Sequence, residues 1–182
     1  MRIGVFVGSF NPVHKGHIKV ANYLLDNDYV DKVIMLPTPN YWHKNNLLDV
    51  KKRVEMLKFY ESEKIIIDDK NNKYKYTYQV LLSLEKEYPN DELFLIIGSD
   101  NIEKLHLWDN ISILFRFKVI VLRRDKTERN EYLKEYEKNF IYVDNFKNIQ
   151  VSSSEIRKGN YKNLDAKVKD YIIKNRLYCE DR

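Results

Sequence analysis

Short, nearly all-apolar runs alternate along this chain with longer stretches whose apolar residues recur at helical spacing. That alternation restricts the available folds more than any other feature. A strand apolar on both faces must be buried on both, and a sheet covered by helices on each side provides that. The pattern predicts strands over 3–7, 32–36, 64–67, 93–97, 117–122 and 140–143. It predicts helices over 17–27, 48–60, 76–88 and 164–175, with Asp49 capping the second. The expected fold class is α/β, a doubly wound (Rossmann-like) parallel sheet of five to six strands with flanking helices. Residues 1–182 read as a single domain. Ligands of such sheets bind beyond the carboxyl ends of the strands, so the chemistry belongs in the loops that follow them.

Composition narrows the partners. The net charge of +5 comes from 32 basic and 27 acidic side chains. They are interleaved, as in Glu85-Lys86-Glu87 and around Lys134 to Lys138, with no long basic block. A solvated mixed-charge surface is expected, and no nucleic-acid partner. The longest apolar runs resemble Leu93 to Ile97, far short of the roughly 20 residues that span a bilayer. No membrane partner is expected. The single cysteine, Cys179, excludes an intrachain disulfide framework and suits a reducing compartment. The opening residues carry no leader pattern, so a cytoplasmic location is expected. Oligomeric state stays open, a homo-oligomer included.

The first predicted strand runs into Gly8-Ser9-Phe10-Asn11-Pro12-Val13-His14-Lys15-Gly16-His17. Gly8 would let a ligand approach the backbone, and Asn11-Pro12 turns the chain towards the next helix. His14 and His17 flank Gly16, three residues apart at a helix start, and so share one side of its first turn. Free main-chain N–H groups are expected beside them, a place for an anion. Later, Ser152-Ser153-Ser154-Glu155-Ile156-Arg157 reads either as a plain helix cap or as a second anion cradle of hydroxyls and a guanidinium fork. The clearest buried strand ends in Gly98-Ser99-Asp100, and Trp108 follows. Gly98 gives a nucleotide room, Asp100 can accept from ribose hydroxyls, and Trp108 serves either the core or a planar ring.

GSFNPVHKGH resembles the H-x-G-H signature of the nucleotidylyltransferases, and 152–157 resembles their S-S-T-x-[IV]-R segment. Gly98-Ser99-Asp100 with Trp108 is similar to the bacterial nicotinate-nucleotide adenylyltransferases. Tyr76-Thr77, Pro37 with His43-Lys44, and Arg53 with Met56-Leu57 match further elements of that family in order. The chain departs from it in three places. Val7 precedes Gly8 where the family has a second glycine, Tyr41-Trp42 replaces a Pro-Pro pair, and Asp109 follows Trp108 where an aromatic residue is common. Trp42 reads as a substrate lid or as a cover for the core.

The resemblance implies transfer of AMP from ATP to nicotinate mononucleotide. As catalytic groups it implies His14, His17, Lys44 and Arg157. For ATP it implies Gly8, Ser9, Phe10, His14, His17, Gly98, Asp100, Ser153, Ser154 and Arg157. For the pyridine nucleotide it implies Lys44, Tyr76, Thr77 and Trp108. Magnesium is expected as Mg2+ carried with ATP, with no dedicated metal cage. The alternatives are nicotinamide mononucleotide as acceptor, which Asp109 would favour, another adenylyltransferase such as a pantetheine-phosphate enzyme, and a nucleotide-binding sensor without turnover.

Overall fold

A computed structural model describes residues 1–40, 47–124 and 126–179. Among these residues six strands form one sheet: β1 (Arg2–Gly8), β2 (Lys32–Pro37), β3 (Ile65–Ile67), β4 (Glu92–Gly98), β5 (Lys118–Leu122) and β6 (Phe140–Val143). Their order is β3-β2-β1-β4-β5-β6 and every pair is parallel. The chain winds outwards from β1 in one direction, then returns to β4 and winds in the other. The order therefore reverses between β1 and β4, and a crevice opens there beyond the strand ends.

Alternation along each strand divides the core into two layers. Ile3 and Val5 of β1, Ile34 and Leu36 of β2, and Leu93, Leu95 and Ile97 of β4 share one buried cluster. Helices α3 (Thr77–Glu87), α4 (Ser99–Ile102) and α5 (Ile111–Leu114) cover it. Val33 and Met35 of β2 and Phe94 and Ile96 of β4 face the opposite cluster. Helices α1 (Lys15–Asp26), α2 (Val50–Leu57), α6 (Ser153–Arg157) and α7 (Ala166–Lys174) cover that side.

The predicted elements are present with shifted edges. α1 begins at Lys15 because His14 is its cap. α2 ends at Leu57 and continues as a single 3-10 turn, Lys58–Tyr60. Asp49 caps α2 as expected, its carboxylate accepting from Lys51 N at 2.8 Å. The periodicity does not announce α4, α5 or the 3-10 stretch Glu131–Asn139. The two helices are one turn each, and the stretch is broken by non-helical backbone at Leu133. None is long enough for a 3.6-residue repeat to stand out.

Candidate active site

Beyond Gly8 the chain makes a tight excursion. Phe10 has φ +44°, and the Asn11–Pro12 bond is cis. The Phe10 ring folds back beneath the loop, so a Cβ on Gly8 would stand 3.0 Å from it. It meets Phe6 and His17 edge-on, with centroids 5.3 and 5.0 Å away. Phe10 thus stands against Gly8, which still lines the cavity described below. Phe10 itself is buried.

His14 and His17 lie ring on ring, with centroids 3.7 Å apart. His14 Nδ1 accepts from Gly16 N and His17 Nδ1 accepts from His14 N, each at 3.2 Å. An imidazole nitrogen that accepts an N–H carries no proton. Each neutral ring therefore keeps its proton on Nε2, and Nε2–H is the donor it can offer. Burial lowers the His14 pKa to about 4, and burial together with neighbouring His14 holds His17 well below the ordinary histidine value. Both rings are uncharged at pH 7.

The expected free amides of this turn are not there. Gly16 N donates to His14, His17 N donates to His14 O at 3.0 Å, and Lys15 N donates to Asn163 O at 3.2 Å. The imidazoles cap the helix themselves, so the donors of this turn sit on side chains. Gly16 is needed for packing. A Cβ there would meet Val151 at 2.9 Å and the His14 ring at 3.0 Å.

The downstream serine–arginine segment closes on this loop. Ser152 caps α6, accepting from Glu155 N at 3.2 Å. Ser153 Oγ donates to Pro12 O at 2.9 Å, and Arg157 Nη1 donates to Asn11 O at 2.8 Å. Arg157 Nη2 also donates to Ser154 Oγ at 3.2 Å. Ser153, Ser154 and Arg157 are thereby brought to the loop that carries both histidines, across about 140 residues of sequence.

Arg53 supports the same region from below. Its side chain is fully buried. Nε donates to Leu48 O at 2.7 Å, Nη1 to Ser9 O at 2.8 Å, and Nη2 to Thr38 O at 2.6 Å and Asn40 Oδ1 at 3.1 Å. Burial lowers its pKa to about 10, so it stays cationic. One guanidinium thus ties the loop after β1 to the loop after β2. In sequence it stood out only through the family resemblance with Met56-Leu57, which does not reveal its partners.

A cavity of about 610 Å³ opens at the β1/β4 reversal. Gly8 and Ser9, Ile96 and Ile97, and Tyr76 and Thr77 at the start of α3 line it. Trp108 lines it too, half-buried against the core. Asn130 Nδ2 donates to Ile102 O at 2.8 Å and steadies the segment leading to that tryptophan. Thr38, Lys75, Asn101 and Asp109 also line the cavity. The first three were not singled out from sequence, because polar residues in loops carry no periodic signal. A Cβ on Gly98 would meet nothing within 4 Å, so open space lies over it as expected. Asp100 is exposed and ion-paired with Arg124. Trp42, His43 and Lys44 lie outside the described residues.

Among the described residues no helix is long and apolar enough to cross a membrane. The cytidylyltransferase-like family model matches residues 5–159. The probable nicotinate-nucleotide adenylyltransferase of Borreliella burgdorferi is 39% identical over 99% of this chain and 98% of its own. The corresponding protein of Clostridium perfringens is 33% identical over 97% and 98%. A Plasmodium falciparum nicotinic acid mononucleotide adenylyltransferase, solved in complex with NaAD, superposes with a TM-score of 0.81 at 22% identity. It covers 98% of this chain and 97% of its own, and shares the fold. A family model spanning most of the sequence and relatives this similar over nearly their whole length place the chain in the nicotinate-nucleotide adenylyltransferase family of cytidylyltransferase-like proteins.

Proposed function

We propose that the protein transfers AMP from ATP to nicotinate mononucleotide, forming deamido-NAD and pyrophosphate. One observation carries this reading: the serine–arginine segment is bonded to the loop that presents two neutral, Nε2-protonated imidazoles. The acceptor phosphate is already an anion, so no general base is required. Its oxygen attacks the α-phosphorus in line, the bond to the β-phosphate oxygen breaks, and pyrophosphate leaves with the electron pair. The work left to the protein is positioning and charge stabilisation.

In this mechanism His14 and His17 donate from Nε2 to the α-phosphate as negative charge builds there. Ser153, Ser154 and Arg157 hold the β- and γ-phosphates. The main chain at Gly8, Ser9 and Phe10, with Gly98 and Asp100, contacts the nucleotide. Tyr76, Thr77 and Trp108 receive the pyridine end in the cavity, and Lys44 neutralises phosphate. Among the described residues no three His, Cys, Asp or Glu gather into a metal cage. Magnesium would arrive with ATP, bound to its phosphates. The protein works in the cytoplasm.

Asp109 on the cavity wall favours a second acceptor, nicotinamide mononucleotide, whose ring lacks a carboxylate. Pyrophosphate release with ATP and each mononucleotide decides between them. Release with nicotinate mononucleotide at the higher kcat/KM is expected. ATP binding without release from either acceptor would replace the enzyme with a nucleotide sensor.

A further inference from the structure

The C-terminal end of the chain reaches into the site region. After α7 the backbone turns left-handed at Arg176 and again at Tyr178, with φ +51° and +59°. Neither is a glycine, so both are strained, and such outliers persist only where their surroundings hold them. Leu177 and Tyr178 are buried in the same core cluster as Phe10 and Val13. The Tyr178 hydroxyl donates to Asn11 Oδ1 at 2.9 Å, a buried bond between residues 167 positions apart.

Asn11 is a junction. Its Oδ1 also accepts from Leu48 N at 3.2 Å, and its main-chain oxygen accepts from Arg157 Nη1 at 2.8 Å. Tail, β2–α2 loop and α6 therefore meet on one residue, three positions before His14. Rotation of the Asn11 amide would release Leu48 and shift the Pro12–His14 backbone that sets both imidazoles.

We propose that Tyr178 is a positioning residue for adenylyl transfer and acts through Asn11. It touches no substrate. Its hydroxyl holds the amide that orients the histidine loop, and the two left-handed residues deliver it there. This inference rests on the activity proposed above.

The test is steady-state kinetics with ATP and nicotinate mononucleotide, run below the unfolding midpoint of every variant. Tyr178→Phe keeps the ring and removes the donor. Its kcat is expected to fall about tenfold, with both KM values within about twofold of the parent. Asn11→Ala should fall at least as far, and adding Tyr178→Phe to it should cost nothing more. Two controls separate positioning from stability. Tyr60→Phe removes a buried hydroxyl without a hydrogen-bond partner among the described residues, and Leu133→Ala thins the opposite core layer. Both should leave kcat unchanged, and Leu133→Ala should lower the melting temperature.

Parent kinetics in Tyr178→Phe would overturn the inference while leaving the proposed activity standing. So would additive losses in the double variant, or equal kcat losses in the controls. If Tyr178→Phe does not fold, an unchanged kcat in Asn11→Ala overturns it instead. An inactive parent protein would remove the proposed activity itself, and this inference with it.

Discussion

The His14 and His17 rings are stacked 3.7 Å apart, and each has its Nδ1 occupied by a main-chain N–H of the same turn. Two imidazolium ions could not lie this close, and neither Nδ1 can take a proton without losing its donor. The pair is therefore a neutral double donor whose tautomer is set by the backbone.

A pH dependence follows. In the unfolded chain an imidazole takes its proton near pH 6.5, whereas folded His14 takes it only near pH 4. Between these values the unfolded state binds more protons, so stability rises with pH. The contribution is complete above pH 6.5 and is lost as pH falls towards 4. For His14 it amounts to up to about 3 kcal/mol. Urea unfolding of the parent and of His14→Gln at pH 8, 6 and 4.5 measures it. The variant should show the shallower loss on acidification, and equal slopes would contradict the assignment. The kcat profile should show no inflection near pH 6.5.

His17→Ala removes one preorganised donor, and kcat should fall roughly 10²–10³-fold. It also leaves the His14 N–H without its acceptor, which costs about 1 kcal/mol, or roughly 2–4 °C in melting temperature. Rapid-quench turnover and calorimetry on one preparation separate the two effects. Normal turnover in this variant would exclude the donor mechanism.

Trp108 stands on the cavity wall with part of its ring exposed. Trp108→Ala should raise the acceptor KM by roughly tenfold, the scale of one lost stacking contact. The KM for ATP should stay within error. Loss of the folded state instead would return this tryptophan to the core.

Asp109→Asn deletes a negative charge from the same wall. At about 4 Å through water, two like charges repel by about 1 kcal/mol. The preference for nicotinate over nicotinamide mononucleotide, as a ratio of kcat/KM, should rise by up to about fivefold. An unchanged ratio would place the ring out of reach of Asp109.

Arg53→Leu should destabilise the fold by about 3 kcal/mol, because the half-buried carbonyls of Ser9, Thr38 and Leu48 lose this donor and a fully buried guanidinium is removed. The melting temperature should fall by roughly 6–12 °C. Arg53→Lys should recover little of it, since an ammonium cannot reach acceptors arranged around a planar fork.

Much of this was legible before any coordinates. The apolar runs 3–7, 32–36 and 93–97 are buried on both faces, and a strand with no polar side can only be central in a covered sheet. The histidine spacing read correctly as one side of a helix turn, because that geometry is local. The capping by Asp49 was readable for the same reason.

The occupancy of the amides was not. Free N–H groups were expected beside His14 and His17, but the rotamers that put Nδ1 on those amides depend on how Phe10 packs beneath His17 and how closely Val151 approaches Gly16. Sequence by itself determined which residues are apolar, which stretches form the longer helices and which donors sit three apart, since these follow from local spacing. The tertiary structure alone decided that Arg53, Asn11 and Tyr178 form the support under one loop. Their hydrogen bonds join segments separated by as many as 167 residues, and a partner that distant leaves no period in the chain.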